Sequence, residues 1–350
     1  MNRPLTLSIA AAVAALALGT AGPAPAQDKI KMKVMGQPLA GGMIQKNKEQ
    51  PFFETFTAKT GLPIEIEYKP QDTTGIKDTE QLRVLESGLF DIVSLRMAQI
   101  SRDEPLTMGF DLVGLNPDFK TARATTKAYF DTLDKRLQAR FQTKLLSVWP
   151  AGPQILFCKK PIAKLNDVKG LKVRVFDQNS AKFFQHLGAT PIPLAFGEVH
   201  QSLSLGVVDC AITSALSANS ASWPEVSTHV LPIGFQFAMN GYGISLGAWK
   251  KLKPDQQQKL QAAFTELEND IWKYSEDLAG EALACNTGKE PCSLKKFKLT
   301  AVPVTPADVQ IVRDAMTAVS FPTWTEACEK SAKGCGDEWK KTVGAAVGMK

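Results

Sequence analysis

The chain has 350 residues, of which 44% are hydrophobic and 22% charged. This composition excludes a disordered or fibrous chain and allows a large buried core. The length predicts two domains. Its formal net charge of +6 comes from 41 basic and 35 acidic residues without long runs. Because the basic residues are spread along the chain, the charge pattern argues against a nucleic-acid-binding surface.

The first 26 residues have the pattern of a secretory signal peptide. Arg3 precedes an apolar stretch from Leu5 to Leu18, and Ala24-Pro25-Ala26 matches a small-x-small cleavage site. A permanent membrane anchor is the alternative, but the stretch is short for a bilayer span. We therefore expect export to the periplasm, with cleavage near Ala26.

Apolar runs and helical patterns then alternate along the chain. The expected elements of the first part are strand 30–35, helix 49–60, strand 64–68, helix 79–87, strand 91–95, helix 121–143 and strand 144–149. This order predicts an α/β lobe with a parallel sheet. The breaker Pro150-Ala151-Gly152-Pro153 predicts a crossing into a second lobe.

The second lobe repeats the alternation. Its expected elements are strands 154–158, 172–176, 190–194 and 208–213, with helices 179–187 and 198–205. Neither lobe carries a GxGxxG turn after a strand or a Walker-type loop, so no nucleotide cofactor is expected.

A long helix is predicted from Pro254 to about Cys285, with an apolar stripe that includes Leu260, Phe264 and Leu267. At 1.5 Å per residue it would be roughly 45 Å long and would brace both lobes. The expected division is a first lobe of 27–150 with part of about 235–285, and a second lobe of 151–234 with part of 286–350.

Six cysteines in an exported chain suggest disulfide bonds. Proximity favours the pairs Cys285–Cys292 and Cys328–Cys335, which leaves Cys158 for Cys210. Zinc is the alternative, but metal-binding pairs usually lie two to four residues apart and the three histidines lie elsewhere, so no metal is expected.

The segment Gly243-Ile-Ser245-Leu-Gly247 matches the GxSxG motif of serine hydrolases. In the α/β-hydrolase order the base follows the serine, yet all three histidines precede Ser245. The motif also falls in a stretch, 242–249, that we expect to be extended rather than to turn sharply into a helix. A secreted hydrolase therefore stays a minor alternative, and we expect no enzyme activity.

Arg174 is the informative charge, because it lies inside an apolar strand. An arginine near the carboxyl end of a parallel strand points toward the crevice where α/β proteins bind ligands. A buried guanidinium needs a partner, either a structural Asp or Glu or the carboxylate of a ligand. The local argument alone leaves both open.

Four segments in order resemble the extracytoplasmic solute-binding proteins of TRAP transporters. They are Asp167-Val-Lys-Gly-Leu-Lys-Val-Arg-Val175, Leu187-Gly-Ala-Thr-Pro-Ile-Pro-Leu194, Phe196-Gly-Glu-Val199 and Gly206-Val-Val-Asp209. The resemblance implies a two-lobed Venus-flytrap receptor that captures an organic acid and delivers it to an ion-gradient-driven permease. An ABC-type receptor and a structural or signalling ectodomain are the alternatives.

The resemblance also implies a binding site. Arg174 falls on the family's carboxylate-binding arginine, and Phe196 falls near its cleft aromatic. Thr213 and Ser214 stand where the family usually has an amide. The full set of expected ligand-binding residues is Trp149, Gln154, Arg174, Phe196, Thr213, Ser214, Asn219 and Trp223. We expect a monomer, and neither the acid nor the polar side of its pocket follows from the sequence.

Overall fold

The computed structural model describes residues 29–39 and 42–349, so the expected signal peptide lies outside the described residues. The strands are β1 (Ile30–Gly36), β2 (Ile64–Pro70), β3 (Ile92–Arg96), β4 (Thr143–Pro150), β5 (Gln154–Cys158), β6 (Lys172–Val175), β7 (Thr190–Pro193), β8 (Cys210–Ser214), β9 (His229–Leu231), β10 (Met239–Ser245) and β11 (Thr300–Ala301).

Helices flank these strands throughout the described part of the chain. They are α1 (Gln50–Thr60), α2 (Gln81–Glu86), α3 (Phe119–Phe141), α4 (Gln178–His186), α5 (Val199–Leu205), α6 (Ala215–Ser220), α7 (Leu246–Lys250), α8 (Pro254–Asn286), α9 (Pro306–Ala315), α10 (Phe321–Ser331), α11 (Cys335–Trp339) and α12 (Ala345–Val347). Across residues 29–39 and 42–349, no helix is long and apolar enough to cross a membrane.

Each lobe is built around one sheet. The first sheet has the strand order β2-β1-β3-β10-β4, and the second has the order β11-β9-β5-β8-β6-β7. Much of each sheet is parallel, as the alternating pattern predicts, but β10 and β5 run antiparallel to both of their neighbours. The expectation of a wholly parallel sheet is therefore wrong.

The antiparallel strands follow from how the chain passes between the lobes. A parallel neighbour needs a crossover connection of a dozen or more residues within one lobe. The strands β5 and β10 instead enter directly from the other lobe, β5 after residues 151–153 and β10 after residues 232–238. Each can therefore pair antiparallel without a crossover helix.

The two connecting segments lie side by side and are joined by backbone hydrogen bonds. The Gln154 N–H donates to the Gln236 carbonyl at 2.7 Å, and the Phe235 N–H donates to the Gln154 carbonyl at 3.0 Å. Gly152 has a φ of 110°, a conformation that favours glycine. The lobes are thus linked by a narrow, ordered pair of extended segments.

Helix α8 braces the lobes along one side. The indole N–H of Trp272 donates to the Val148 carbonyl at 2.9 Å, which pairs the outer edge of β4 with a side chain. At the other end of α8, Asn286 Nδ2 donates to the Ala215 carbonyl at 2.9 Å, at the start of α6 in the second lobe.

The C-terminal helices also contact both lobes. The indole N–H of Trp324 donates to the Pro105 carbonyl at 2.8 Å, in the segment that precedes α3. The Asn179 amide, on α4 of the second lobe, donates to the Ser320 carbonyl at 2.9 Å. Two separate parts of the chain therefore brace the lobes.

The six cysteines are paired as Cys158–Cys210, Cys285–Cys292 and Cys328–Cys335. Because Cys158 and Cys210 lie opposite each other in the register of β5 and β8, the first bridge fastens the strand that enters the second lobe to the middle of its sheet. The other two bridges close short loops.

Removing the Cys158–Cys210 bridge should cost more stability than removing a local one, because it spans 52 residues rather than seven. Loop entropy predicts a loss of about 4 kcal/mol for the Cys158→Ala/Cys210→Ala double variant and about 2.5 kcal/mol for the Cys285→Ala/Cys292→Ala control. Urea unfolding of both variants measures the difference. Equal losses would contradict the predicted role of the long bridge.

Candidate functional site

A cavity of about 730 Å³ lies between the two sheets. Arg96, at the carboxyl end of β3, lines it from the first lobe, and Arg174 of β6 lines it from the second together with the segment that follows β7. A narrower cavity of about 50 Å³ shares both arginines and reaches the connecting segments. Its other lining residues are Ala98, Gln99, Ala151, Gln154, Phe176, Phe196, Thr213, Ser217, Ala238, Met239 and Asn240.

The alternation of side chains along β6 places Arg174 at this cavity. Val173 and Val175 are fully buried in the core of the second lobe, so Arg174 points to the opposite face of the sheet. Although it lines the cavity, Arg174 is only 2% exposed.

Backbone carbonyls fix the guanidinium of Arg174. Its Nε and Nη2 donate to the Leu194 carbonyl at 3.1 and 3.0 Å, and its Nη1 donates to the Ile212 carbonyl at 3.0 Å. These bonds use three of the five N–H groups and leave one on each terminal nitrogen. Two such groups match the two oxygens of a carboxylate.

No acidic side chain in the described part of the chain lies within ion-pair distance of Arg174. Burial, and then repulsion by Arg96, lowers the pKa of Arg174 to about 9, while the charges of Asp177 and Glu198 partly oppose this shift. The guanidinium remains protonated at neutral pH. The site thus holds a buried positive charge without a direct ion-pair partner among the described residues.

Aromatic side chains surround this charge. The Phe196 ring stacks on Trp223 with centroids 5.3 Å apart. The guanidinium carbon of Arg174 lies 5.4 Å from the Phe176 ring centroid and 5.8 Å from that of Trp223. Trp223 is fully buried, so it supports Phe196 and Arg174 from behind.

The structure gathers some of the expected ligand-binding residues at the cavity. Arg174, Phe196, Gln154 and Thr213 line it together. The amide of Gln154 donates to the Gly152 carbonyl at 2.8 Å, so the connecting segment engages one of its two N–H groups.

Three of the expected residues lie elsewhere. The Asn219 amide donates to Asn286 Oδ1 at 2.8 Å and so joins α6 to α8. Ser214 accepts the Ser217 N–H at 3.1 Å and caps α6. Trp149 is buried in the core of the first lobe, with its ring 6.1 Å from that of Tyr242.

Sequence reasoning missed several residues that line the cleft, among them Arg96, Gln99, Phe176 and Asn240. A signal for two of them was present. Arg96 occupies the carboxyl end of a parallel strand, the same kind of position that singled out Arg174, and Phe176 follows Arg174 by two residues. The expected strand 91–95 ends one residue before Arg96.

The GxSxG segment requires a correction. The strand β10 ends at Ser245 and α7 begins at Leu246, so the expectation of an extended stretch over 242–249 is wrong. Ser245 is nevertheless a helix cap: its Oγ accepts the Ala248 N–H at 3.2 Å, and its φ of −60° carries no strain. This hydrogen bond explains the serine without a catalytic role.

Comparison with known proteins identifies the family. Residues 35–327 match the model of DctP, described as bacterial extracellular solute-binding protein, family 7. The chain is 27% identical over 252 residues to the C4-dicarboxylate-binding periplasmic protein DctP of Rhodobacter capsulatus, which covers 68% of this chain and 73% of that protein. It is 23% identical to the sialic acid-binding protein SiaP of Vibrio cholerae, over 87% of this chain and 91% of that protein.

A solved structure has the same fold. The TRAP periplasmic solute-binding protein of Desulfovibrio salexigens, with bound orotic acid, superposes with a TM-score of 0.79 at 17% identity and covers 91% of this chain and 100% of that one. The chain belongs to the DctP family, family 7 of the bacterial extracellular solute-binding proteins.

Proposed function

We propose that this protein captures a small organic acid between its lobes and that Arg174 binds the acid's carboxylate. The observation that carries the proposal is the buried guanidinium, which lines the cavity. Among residues 29–39 and 42–349 it has no acidic ion-pair partner, and one N–H group on each terminal nitrogen has no acceptor. A ligand carboxylate would supply the missing charge and use both N–H groups.

The remaining residues of the cavity fit such a ligand. Phe196 and Phe176 would cover its apolar part, while Thr213 and Gln154 would contact polar groups. The relatives described above bind C4-dicarboxylates, sialic acid and orotic acid, according to their names, and all of these carry carboxyl groups.

The receptor would act in the periplasm as a monomer. Export would remove residues 1–26, leaving lobes of 27–150 with part of 235–285, and of 151–234 with part of 286–350. The loaded receptor would deliver the acid to the membrane permease of a TRAP transporter. No catalytic step is part of this function.

Binding would close the lobes by bending at the paired connecting segments. Closure would remove water from Arg174 and the carboxylate together, which strengthens their interaction. The ligand can shift the equilibrium between the open and closed forms only as far as it binds the closed form more tightly. A shift of the closed-to-open ratio from 1:99 to 99:1 requires about 5.5 kcal/mol of such differential binding free energy.

Arg174→Lys should weaken binding of the natural acid by about tenfold or more, because an ammonium ion cannot reproduce the planar pair of donors. Mass spectrometry of ligand released from freshly purified, denatured protein identifies the acid, and calorimetry then compares the two proteins. Wild-type affinity in a folded Arg174→Lys protein would refute the proposal.

Arg174→Gln tests whether the buried charge is retained for binding. Because the folded-state pKa of Arg174 lies below its usual value, protonation opposes folding at neutral pH. The midpoint urea concentration for unfolding of the ligand-free variant should therefore be at least as high as that of the ligand-free wild type.

The matched control is Arg136→Gln. Arg136 Nε lies 2.8 Å from Oε2 of the fully buried Glu104, which Arg140 also contacts at 3.0 Å, so the loss of one of these two partners should cost about 1.5 kcal/mol. A similar loss in Arg174→Gln would mean that Arg174 is a structural residue.

Small-angle scattering measures the closure. The radius of gyration should fall when saturating acid is added to protein stripped of ligand by unfolding and refolding. An unchanged radius in protein shown by calorimetry to bind the acid would contradict bending at the connecting segments.

A further inference from the structure

Arg96 brings a second positive charge to the cleft, from the lobe opposite Arg174. It is the last residue of β3, which lies between β1 and β10 in the middle of the first sheet. Its backbone N–H donates to Gln81 Oε1 at 2.8 Å, so the base of the side chain is fixed. Its side chain is 17% exposed and lines both cavities together with Arg174.

The protein neutralises Arg96 only loosely. Its Nη1 lies 3.3 and 3.5 Å from the two carboxylate oxygens of Asp78, longer than the about 2.7–2.9 Å of a close charge-assisted pair. The same carboxylate accepts a shorter bond, 2.9 Å, from Gln71 Nε2. Among the described residues, Nε and Nη2 of Arg96 have no hydrogen-bond partner, so donors remain for a ligand.

The other charged residues along the cleft are placed differently. Asp72 accepts the Leu39 N–H at 2.9 Å, and Glu198 accepts the Ala195 N–H at 3.1 Å, so both carboxylates are engaged by backbone. Lys77 also lines the cavity, but it is exposed to solvent. The unsatisfied guanidinium donors therefore belong to Arg174 on one wall and Arg96 on the other.

These two positive charges repel each other, and this repulsion contributes to the lowered pKa of Arg174. A ligand with one carboxylate would neutralise Arg174 and leave Arg96 to its loose contact with Asp78. A ligand with a second anionic group would compensate both walls and remove the repulsion between the lobes. Such a ligand would also be held by both lobes at once.

We propose that Arg96 is a specificity-determining residue, which binds a second carboxylate and so selects dicarboxylic over monocarboxylic acids. This proposal rests on the proposed function, because it needs an acid bound at Arg174. The two arginines then have separate roles: Arg174 binds the first carboxylate of any acid, and Arg96 discriminates by the presence of a second.

The test compares diacids with their monomethyl esters, which differ in one charge and little in size. Calorimetry measures the binding of malonate, succinate and glutarate, and of each monomethyl ester, to wild type and to Arg96→Gln. For the diacid that binds best, wild type should prefer the diacid over its ester about tenfold or more, as expected for hydrogen bonds to a charged group. In Arg96→Gln the diacid should lose that advantage, while affinity for the ester changes less than about threefold.

The matched control is Arg83→Gln, which removes the same charge from the same lobe. The Arg83 side chain is 69% exposed and lies 3.7 Å from Asp103, away from the cleft residues. The Arg83→Gln variant should bind the diacid and its monomethyl ester with wild-type affinity. A parallel loss of diacid binding in Arg83→Gln would show an effect of net charge and would overturn the role of Arg96.

The outcomes separate the two proposals. Undiminished diacid binding in Arg96→Gln, or a wild type that binds ester and diacid equally, overturns the role of Arg96 and leaves Arg174 in place. Acid binding with wild-type affinity in Arg174→Lys contradicts the proposed function itself. If none of the three diacids binds, the acid released from the purified protein is the test. A released acid with one acidic group overturns the inference, and a released acid with two acidic groups supports it.

Discussion

The candidate site is built around one buried charge without a directly paired acidic group. Burying a guanidinium without a directly paired acidic group is unfavourable, and the protein offsets this with carbonyl dipoles at Leu194 and Ile212, with the faces of aromatic rings and in part with the charges of Asp177 and Glu198. An internal Asp or Glu at the same place would stabilise the empty protein, but it would also occupy the donors that a ligand needs. In the proposed function, relief of this cost by a ligand carboxylate would be the basis of the binding energy.

That charge is useful only if the opposing wall can approach it, and the topology provides for this. Because β5 and β10 enter from the opposite lobe, the chain crosses the cleft twice, at adjacent segments joined by backbone hydrogen bonds. Helix α8 and the C-terminal helices brace the lobes from outside. In the proposed closure, these contacts would restrict the direction of movement and keep Arg96 facing Arg174.

Much of this arrangement could be predicted from the sequence. Local patterns located most helices and strands, and a polar residue inside an apolar strand identified Arg174. Antiparallel pairing could not be predicted in this way, because it depends on which lobe a strand enters rather than on its own residues. The orientation of the Asn219 side chain depends on its hydrogen bond to α8, a helix more than thirty residues further along the chain. Arg96 was missed because a boundary error of one residue placed it outside its strand.

A crystal structure of the protein with its co-purified acid tests the central claim most directly. The account predicts a carboxylate whose two oxygens lie about 2.7–2.9 Å from Nη1 and Nη2 of Arg174, with the carbonyl contacts of Leu194 and Ile212 retained. An acid bound elsewhere in the cleft, or an Arg174 paired with an acidic side chain of the protein itself, would contradict it.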